Sequence, residues 1–233
     1  MRVKIHHEGT GLLIVAILVL AAVNVPLWLL LPKSLISIAI VVTVISAVFY
    51  LLLVNFFRSP RRHFSGNQHN AVVAAADGKV VALEKVYEDE FLKAEAIQLS
   101  IFMSPTNVHA NWFPVNGKVV YVSHHPGRYQ AAFLPKSSSE NERSTVAIET
   151  PDGQIVVMRQ IAGAMARRIV TYAKVGDDAC IEDQMGFIKF GSRVDIFLPL
   201  STEVYVGIGD KTTGGISLVG NLKPPTIQTH NPT

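Results

Sequence analysis

The chain has 233 residues, with 21 Lys and Arg against 18 Asp and Glu for a formal charge of +3, and this length suits one ordinary domain plus an appendage. With no dense Lys/Arg stripe and no finger-like ligand spacing after residue 58, that balance argues against a nucleic-acid binder. A single cysteine, Cys180, excludes an internal disulfide and a multi-cysteine metal site, and agrees with a reducing compartment.

Residues 11–31 carry no charge, and after Pro32-Lys33 a second uncharged run covers 34–57. Each run can cross a hydrocarbon core roughly 30 Å thick at ~1.5 Å per helical residue. Two helices in hairpin are the simplest reading, while Asn24 and Pro26 leave open a hairpin that dips into one leaflet. Two long runs back to back do not fit a cleavable signal peptide. Arg2 and Lys4 precede the first run, Arg58, Arg61 and Arg62 follow the second, and only Lys33 sits between. The positive-inside rule then puts both ends, and everything after residue 58, on the cytoplasmic face of the inner membrane. The positive charge suits a domain held against anionic headgroups.

Residues 58–70, with Pro60, Gly66 and several His, read as a juxtamembrane linker. Beyond it, Val/Ile/Phe-rich runs recur at 72–75, 79–86, 97–103, 118–122, 145–149, 155–158, 187–190, 194–198, 204–208 and 216–219. Gly, Pro, Asn and Asp punctuate them, which is the pattern of a β-rich domain. Residues 163–173 have the spacing of a short helix. Turns at 114–118 and 209–215 resemble in shape the hairpins of biotinyl- and lipoyl-type domains, without a carrier motif. The expected fold is therefore α+β and mainly β. A barrel-sandwich-like domain, residues 58–233, follows an N-terminal hydrophobic helical hairpin, residues 1–57. Residues 134–145 read as a polar surface loop, and the tail after Leu222 has too little apolar content to pack.

The chemistry concentrates in residues 187–199, Phe-Ile-Lys-Phe-Gly-Ser-Arg-Val-Asp-Ile-Phe-Leu-Pro, where Gly191-Ser192 lies between two strand-like runs. A serine hydroxyl can attack the carbonyl before it, and a glycine at 191, lacking Cβ, lets that carbonyl twist into reach. Serine needs a base, and the base an orienting group. Ser104-Pro-Thr-Asn-Val-His109 and Ala75-Ala-Asp77-Gly-Lys79-Val supply a histidine and a carboxylate. Taken singly, Asp-Gly is a common turn pair and a lone histidine an ordinary surface or core residue. His124-His125 has no acidic or thiol partner at ligand spacing, so no metal is expected.

Taken together these segments resemble the short bacterial and archaeal phosphatidylserine decarboxylases. The stretch around Gly191-Ser192 is similar to their maturation motif. Ser104–His109 with Phe113-Pro114 is similar to their Ser-Pro-x-Asp-Tyr/Val-His segment, and Ala75–Val80 to Pro-x-Asp-Gly-Lys/Arg-Val/Ile. Glu140-Asn-Glu-Arg143, Gln160-Ile-Ala-Gly163 and Ala166-Arg-Arg168-Ile match as well, so the likeness covers residues ~58–220 in order.

The resemblance implies an autocatalytically cleaved zymogen. The bond between Gly191 and Ser192 breaks, chains 1–191 and 192–233 stay associated, and Ser192 becomes a covalent pyruvoyl cofactor. It marks His109 as the base and Asp77 as its orienting group. Trp112 stands where longer members carry a second histidine, so His109 is expected to serve both cleavage and decarboxylation. The pyruvoyl carbonyl would form a Schiff base with phosphatidylserine in the bilayer, and loss of CO2 would yield phosphatidylethanolamine. Arg167, Arg168 and Arg193 are candidates for the lipid phosphate, with pairing to Glu149 and Asp195 as the alternative. Two other readings remain open. One is decarboxylation of another aminophospholipid such as archaetidylserine; the other is a non-enzymatic membrane-anchored binding module in which Gly191-Ser192 is a turn. No Gly-x-Ser-x-Gly elbow supports a conventional hydrolase, and the sequence leaves room for a homo-oligomer.

Overall fold

The computed structural model describes residues 4–127, 141–163, 168–189 and 192–223. Gly191, Arg167, the expected loop up to residue 140, residues 164–167 of the expected helix and the tail from 224 lie outside them. The chain divides into two units, Met1–Arg61 and Arg62–Thr233.

The first unit comprises β1 (Lys4–Ile5), α1 (His7–Leu30), a 3-10 turn at Lys33–Leu35, α2 (Ile36–Phe56) and β2 (Arg58–Ser59). His6 caps α1 by accepting the Glu8 N–H on Nδ1, and β1 pairs antiparallel with β2 at the base of the hairpin. His7–Leu30 and Lys33–Phe56 are each long and apolar enough to cross a membrane. Asn24 joins the two helices: its Nδ2 donates to Ser46 Oγ at 2.9 Å, and its Oδ1 accepts from Thr43 Oγ1 at 2.8 Å. Trp28 Nε1 also donates to Thr43 Oγ1, at 2.9 Å. An amide in an apolar helix is thus satisfied across the pair, as polar residues between apolar helices usually are.

The second unit is built from β3 (Ala71–Val73), β4 (Gly78–Glu88), β5 (Ala94–Met103), β6 (Ala110–Trp112), β7 (Gly117–His125), β8 (Arg143–Glu149), β9 (Ile155–Ile161), β10 (Arg168–Thr171), β11 (Asp178–Ala179), β12 (Gln184–Lys189), β13 (Ser192–Leu198), β14 (Glu203–Val204), β15 (Lys211–Thr212) and β16 (Leu218–Asn221). The unit is mainly β, as expected. A curled sheet runs β11-β7-β8-β9-β13-β5-β4-β15, with three-stranded sheets β10-β12-β6 and β14-β16-β3 beside it. Every residue of β13 is buried, flanked by β9 and β5 in antiparallel register. Its inner face joins a core that includes Leu99, Ile101, Met103, Met158, Val194 and Ile196.

Several expectations change. Arg168–Thr171 is a strand rather than helix, because Ile169, Val170 and Thr171 are β-branched and pair with Ile188, Phe187 and Gly186. Neither expected hairpin turn joins paired neighbours. Residues 114–118 lead from β6 to β7 in different sheets, and 209–215 carry β15 against β4. The run at 204–208 stops as a strand at Val204, since Gly207 and Gly209 allow a turn that Asp210 closes by accepting the Gly207 N–H. The polar loop ends early: Asn141 is buried, its Nδ2 donating to the Ala162 carbonyl at 2.7 Å, and β8 starts at Arg143. The linker is partly packed, with Phe64 buried against Ala71, Val73 and Ile181. Cys180 is half-buried, following a two-residue strand at the end of the sheet.

The β4–β5 connection folds over the outer face of the sheet. Glu88 accepts the N–H groups of Glu90, Phe91 and Leu92 and so shapes the loop. Phe91 and Leu92 cover Ala96, Ala147, Val157 and Phe197. Glu90 reaches across to β7, β8 and β9, accepting from His125 Nε2 at 2.8 Å, Thr145 Oγ1 at 3.0 Å and Arg159 NH2 at 3.1 Å. Burial alone would raise the Glu90 carboxyl, but hydrogen bonds from His125 and Thr145, with the charges of Arg159 and His125, outweigh it and hold the pKa below 4.5. Because the folded-state value lies below the unfolded one, this stabilisation is complete above pH 4.5 and is lost as pH falls through the folded value. Glu90→Gln should cost about 1.5–3 kcal/mol at neutral pH, the usual scale for hydrogen bonds to a charged group. Unfolding midpoints measured from neutral to acid pH should show the gap to wild type closing on the acid side.

Candidate active site

Ser192 opens β13 directly opposite Met103 at the end of β5. Its side chain is fully buried, and its hydroxyl donates to Met103 Sδ at 3.2 Å. Side chains alternate along a strand, so Ser192 shares the inner face with Val194, Ile196 and Leu198 while Arg193 and Asp195 point outward. Arg193 closes on Asp195 in a two-pronged pair, Nε to Oδ1 at 2.7 Å and NH2 to Oδ2 at 2.9 Å. One of the three arginines considered for a lipid phosphate is thus held by a carboxylate, on the face away from Ser192. Arg168 is exposed on β10, opposite Lys189 of β12. Glu149, the alternative partner for these arginines, lies across from Lys118 on β7.

The Met103 sulfur accepts a second buried donor, Asn111 Nδ2, at 3.5 Å. Asn111 Oδ1 accepts from Gln160 Nε2 at 2.8 Å, Gln160 Oε1 accepts from Thr171 Oγ1 at 2.9 Å, and Thr171 Oγ1 lies 2.7 Å from Ser144 Oγ. A chain of polar groups therefore runs from the serine to β8 through the interior. The sequence reading missed Met103 and Asn111. For Asn111 the signal was alternation, because it sits two residues from His109; for Gln160 it was the matched Gln160–Gly163 segment.

His109 is fully buried, and its Nδ1 lies 3.0 Å from the Asn107 carbonyl. A carbonyl can only accept, so this contact puts the proton of the neutral ring on Nδ1 and leaves the lone pair on Nε2. The motif spacing has a local cause. Ser104 donates its N–H and hydroxyl to Asn107 Oδ1 at 2.9 and 2.7 Å, and Asn107 N–H donates to the Ser104 carbonyl at 2.9 Å. That closed turn fixes the carbonyl that holds the imidazole. The His109 carbonyl accepts from Ile188 N–H at 3.1 Å, which ties the turn to β12, the strand leading toward Ser192.

Asp77 is engaged elsewhere. Its Oδ2 accepts from Arg62 NH2 at 2.9 Å and its Oδ1 from Gly214 N–H at 2.9 Å. The Arg62 guanidinium lies 4.9 Å from the centre of the Trp112 ring. A Cβ at Gly214 would strike that ring, and one at Gly78 would strike the Phe102 carbonyl, so both glycines permit close approach here. Asp77 therefore groups with Trp112, whereas Asn111, the next residue back and on the opposite side of β6, reaches toward Met103 and Ser192. Among the described residues, His109 is not a partner of the Asp77 carboxylate. Arg62, first read as a juxtamembrane charge, belongs to this cluster.

His124 lies 3.4 Å from Glu142 Oε1 and His125 2.8 Å from Glu90 Oε1. Among the described residues no group of three or more His, Cys, Asp or Glu is arranged to hold a metal. A cleft of about 280 Å³ lined by Gln68, His69, Asn116, Thr150 and Asp152 is bordered by neither Ser192, His109 nor Asp77.

Comparison with known proteins supplies independent information. The family model for phosphatidylserine decarboxylase matches residues 49–220. The chain is 53% identical to the phosphatidylserine decarboxylase proenzyme of Parabacteroides distasonis, over 94% of this chain and 99% of that protein. The proenzymes of Phocaeicola vulgatus and Bacteroides thetaiotaomicron are 52% and 51% identical, each over 95% of this chain and 96% of theirs. Agreement of this extent, over a range that includes Ser192, means that the chain belongs to the phosphatidylserine decarboxylase family.

Proposed function

We propose that the chain is a membrane-anchored proenzyme that cleaves itself between Gly191 and Ser192 and then converts phosphatidylserine to phosphatidylethanolamine and CO2. The observation that carries this reading is the fully buried Ser192 at the head of β13, its hydroxyl donating, among the described residues, to the Met103 thioether, in a chain of this family. Residues 1–57 serve as the anchor and 58–233 as the catalytic domain, facing the cytoplasm as the flanking basic residues predict.

In maturation Ser192 Oγ attacks the Gly191 carbonyl carbon, the C–N bond breaks, and the acyl group moves from nitrogen to oxygen. Loss of the Ser192 α-proton then expels the Gly191 carboxylate and leaves dehydroalanine, whose hydrolysis releases ammonia and gives the pyruvoyl cap on chain 192–233. His109 Nε2, carrying the ring's lone pair, takes the serine proton, and the Asn107 carbonyl supplies the orienting contact on Nδ1. Asp77 acts by holding Arg62 and the Gly214 turn around Trp112.

The surroundings of Ser192 suit the group. Asn111 places a buried amide on Met103, the cross-strand neighbour of Ser192, with the Gln160 amide behind it, and a small carbonyl-bearing cap needs such donors. Once formed, the pyruvoyl group would supply an electrophilic carbonyl for the substrate amine and an electron sink for the loss of CO2. His109, protonated by then, returns a proton to the substrate carbon. Arg168, exposed and opposite Lys189, is the candidate for the lipid phosphate. Arg193, already paired, keeps a structural role.

Purified protein should give two chains by intact mass, 1–191 and 192–233, with the smaller one blocked at its N-terminus. Ser192→Ala should stay whole and fail to release CO2 from phosphatidylserine; a homogeneous uncleaved chain that still decarboxylates the lipid would falsify the reading. His109→Ala should mature ~10²–10⁴-fold more slowly, the usual cost of losing a positioned proton carrier. Turnover per pyruvoyl in the fraction that does mature separates its two roles. Asp195→Ala should lower stability by about 3–5 kcal/mol in chemical denaturation, because it removes the buried carboxylate that pairs with Arg193 through two bonds. Protease added outside intact cells should leave residues 58–233 uncut; digestion there with the membrane sealed reverses the assigned orientation.

A further inference from the structure

The turn at residues 207–210 presents an apolar side chain that the fold does not use. Val206 packs against the core, but Ile208 at the tip is 69% exposed and Tyr205 is 49% exposed. The turn is rigid. Asp210 N–H donates to the Gly207 carbonyl, Gly207 N–H donates to Asp210 Oδ2 at 2.8 Å, and reciprocal bonds tie the turn to β4, Gly209 N–H to the Val80 carbonyl and Val80 N–H to the Asp210 carbonyl. The Asp210 carboxylate is thereby turned into the loop.

Beside this tip stand two lysines in an arrangement a sheet ordinarily avoids. Lys211 of β15 lies directly opposite Lys79 of β4, so two ammonium groups rise from the same face at cross-strand distance, which destabilises the pairing. The stem of Lys79 runs alongside Gly209, next to Ile208. Lys85, Lys118 and Lys223 have Glu95, Asp178 and Glu203 as partners. Among the described residues neither Lys79 nor Lys211 has an acidic partner.

We propose that Ile208, flanked by Lys79 and Lys211, docks the catalytic unit on the surface of an anionic bilayer, with the isoleucine entering the headgroup region and the lysines meeting lipid phosphates. A rigid apolar tip between cations is suited to such a surface, since burial of the apolar tip and attraction to anionic lipid add. Each lysine at an anionic surface strengthens attachment by on the order of five-fold. An acidic partner protein would match the charge but does not call for a protruding isoleucine at its centre. The inference rests on the proposed membrane anchoring and adds a second contact between the catalytic unit and the bilayer.

The test uses the full-length chain carrying Cys180→Ser and Ile208→Cys, labelled at 208 with a polarity-sensitive fluorophore and reconstituted in vesicles. The vesicles contain phosphatidylcholine alone or with phosphatidylglycerol, an anionic lipid that is not the substrate. Expected are a blue shift and quenching by spin-labelled acyl chains in the anionic vesicles, both weakened several-fold by Lys79→Gln with Lys211→Gln. A probe replacing Val175, 64% exposed, should remain water-like. A water-like probe at 208 in anionic vesicles overturns the proposal. So does a shift of equal size without anionic lipid, or one that grows with protein density and thus reports a second copy. No turnover is read, so a chain inactive on phosphatidylserine would sink the proposed reaction and leave this result standing. Failure to reconstitute at all would point to the hairpin instead.

Discussion

Burial of β13 on both faces is the constraint around which the catalytic unit is arranged. A strand buried on one face can leave alternate residues to water, but here each side chain must be satisfied from within. The inner face meets this demand with Val194, Ile196 and Leu198 in the core and with Ser192 at the open end. The outer face carries Arg193, Asp195 and Phe197, and answers by pairing the first two and laying Arg159 over the ring of the third. That arrangement needs a cover, and the β4–β5 loop supplies it through Glu88 and Glu90. A buried guanidinium beside the reacting residue is therefore a consequence of strand alternation, and its charge is neutralised before substrate enters.

The same accounting explains the polar chain behind the serine. Buried amides and hydroxyls must find partners, and Asn111, Gln160, Thr171 and Ser144 find them in one another. At the end nearest Ser192, the partner is the Met103 thioether, a weak acceptor shared by two donors. The hydroxyl is thus kept from competing backbone groups at little energetic cost to its release. Local chemistry at 104–107 complements this by fixing the imidazole: an asparagine accepting from its own turn presents a carbonyl that selects one tautomer of His109.

Confinement to a surface is what the proposed anchoring would contribute. A lipid that stays in the bilayer is met more often by an enzyme tethered to the same plane than by one free in solution. The hairpin proposed as the tether has its helices joined through Asn24, Thr43, Ser46 and Trp28. The proposed contact at Ile208 would add a second point of attachment.

Much of this was legible in the residues themselves. The apolar hairpin, the β-rich remainder and the segments carrying Ser192, His109 and Asp77 follow from charge-free length, period-two runs and short motifs, all of them local properties. Where local signals conflict with pairing, pairing wins. Residues 168–171 have small and charged neighbours that suit a helix, yet their β-branched side chains complete a sheet with β12. Residues 204–208 read as a strand, yet two glycines and Asp210 turn the chain from 207 on. The partnerships were not legible, because they join residues far apart in sequence: Arg62 with Asp77 across Trp112, Met103 with Ser192, Glu90 with His125 and Arg159. Asp77 and His109 read as a pair from their motifs, and the fold adds what the motifs do not carry: alternation in β6 turns Trp112 toward the Arg62–Asp77 pair and Asn111 toward Met103. Which side chains meet is decided by strand register and face, and those exist only once the sheet has formed.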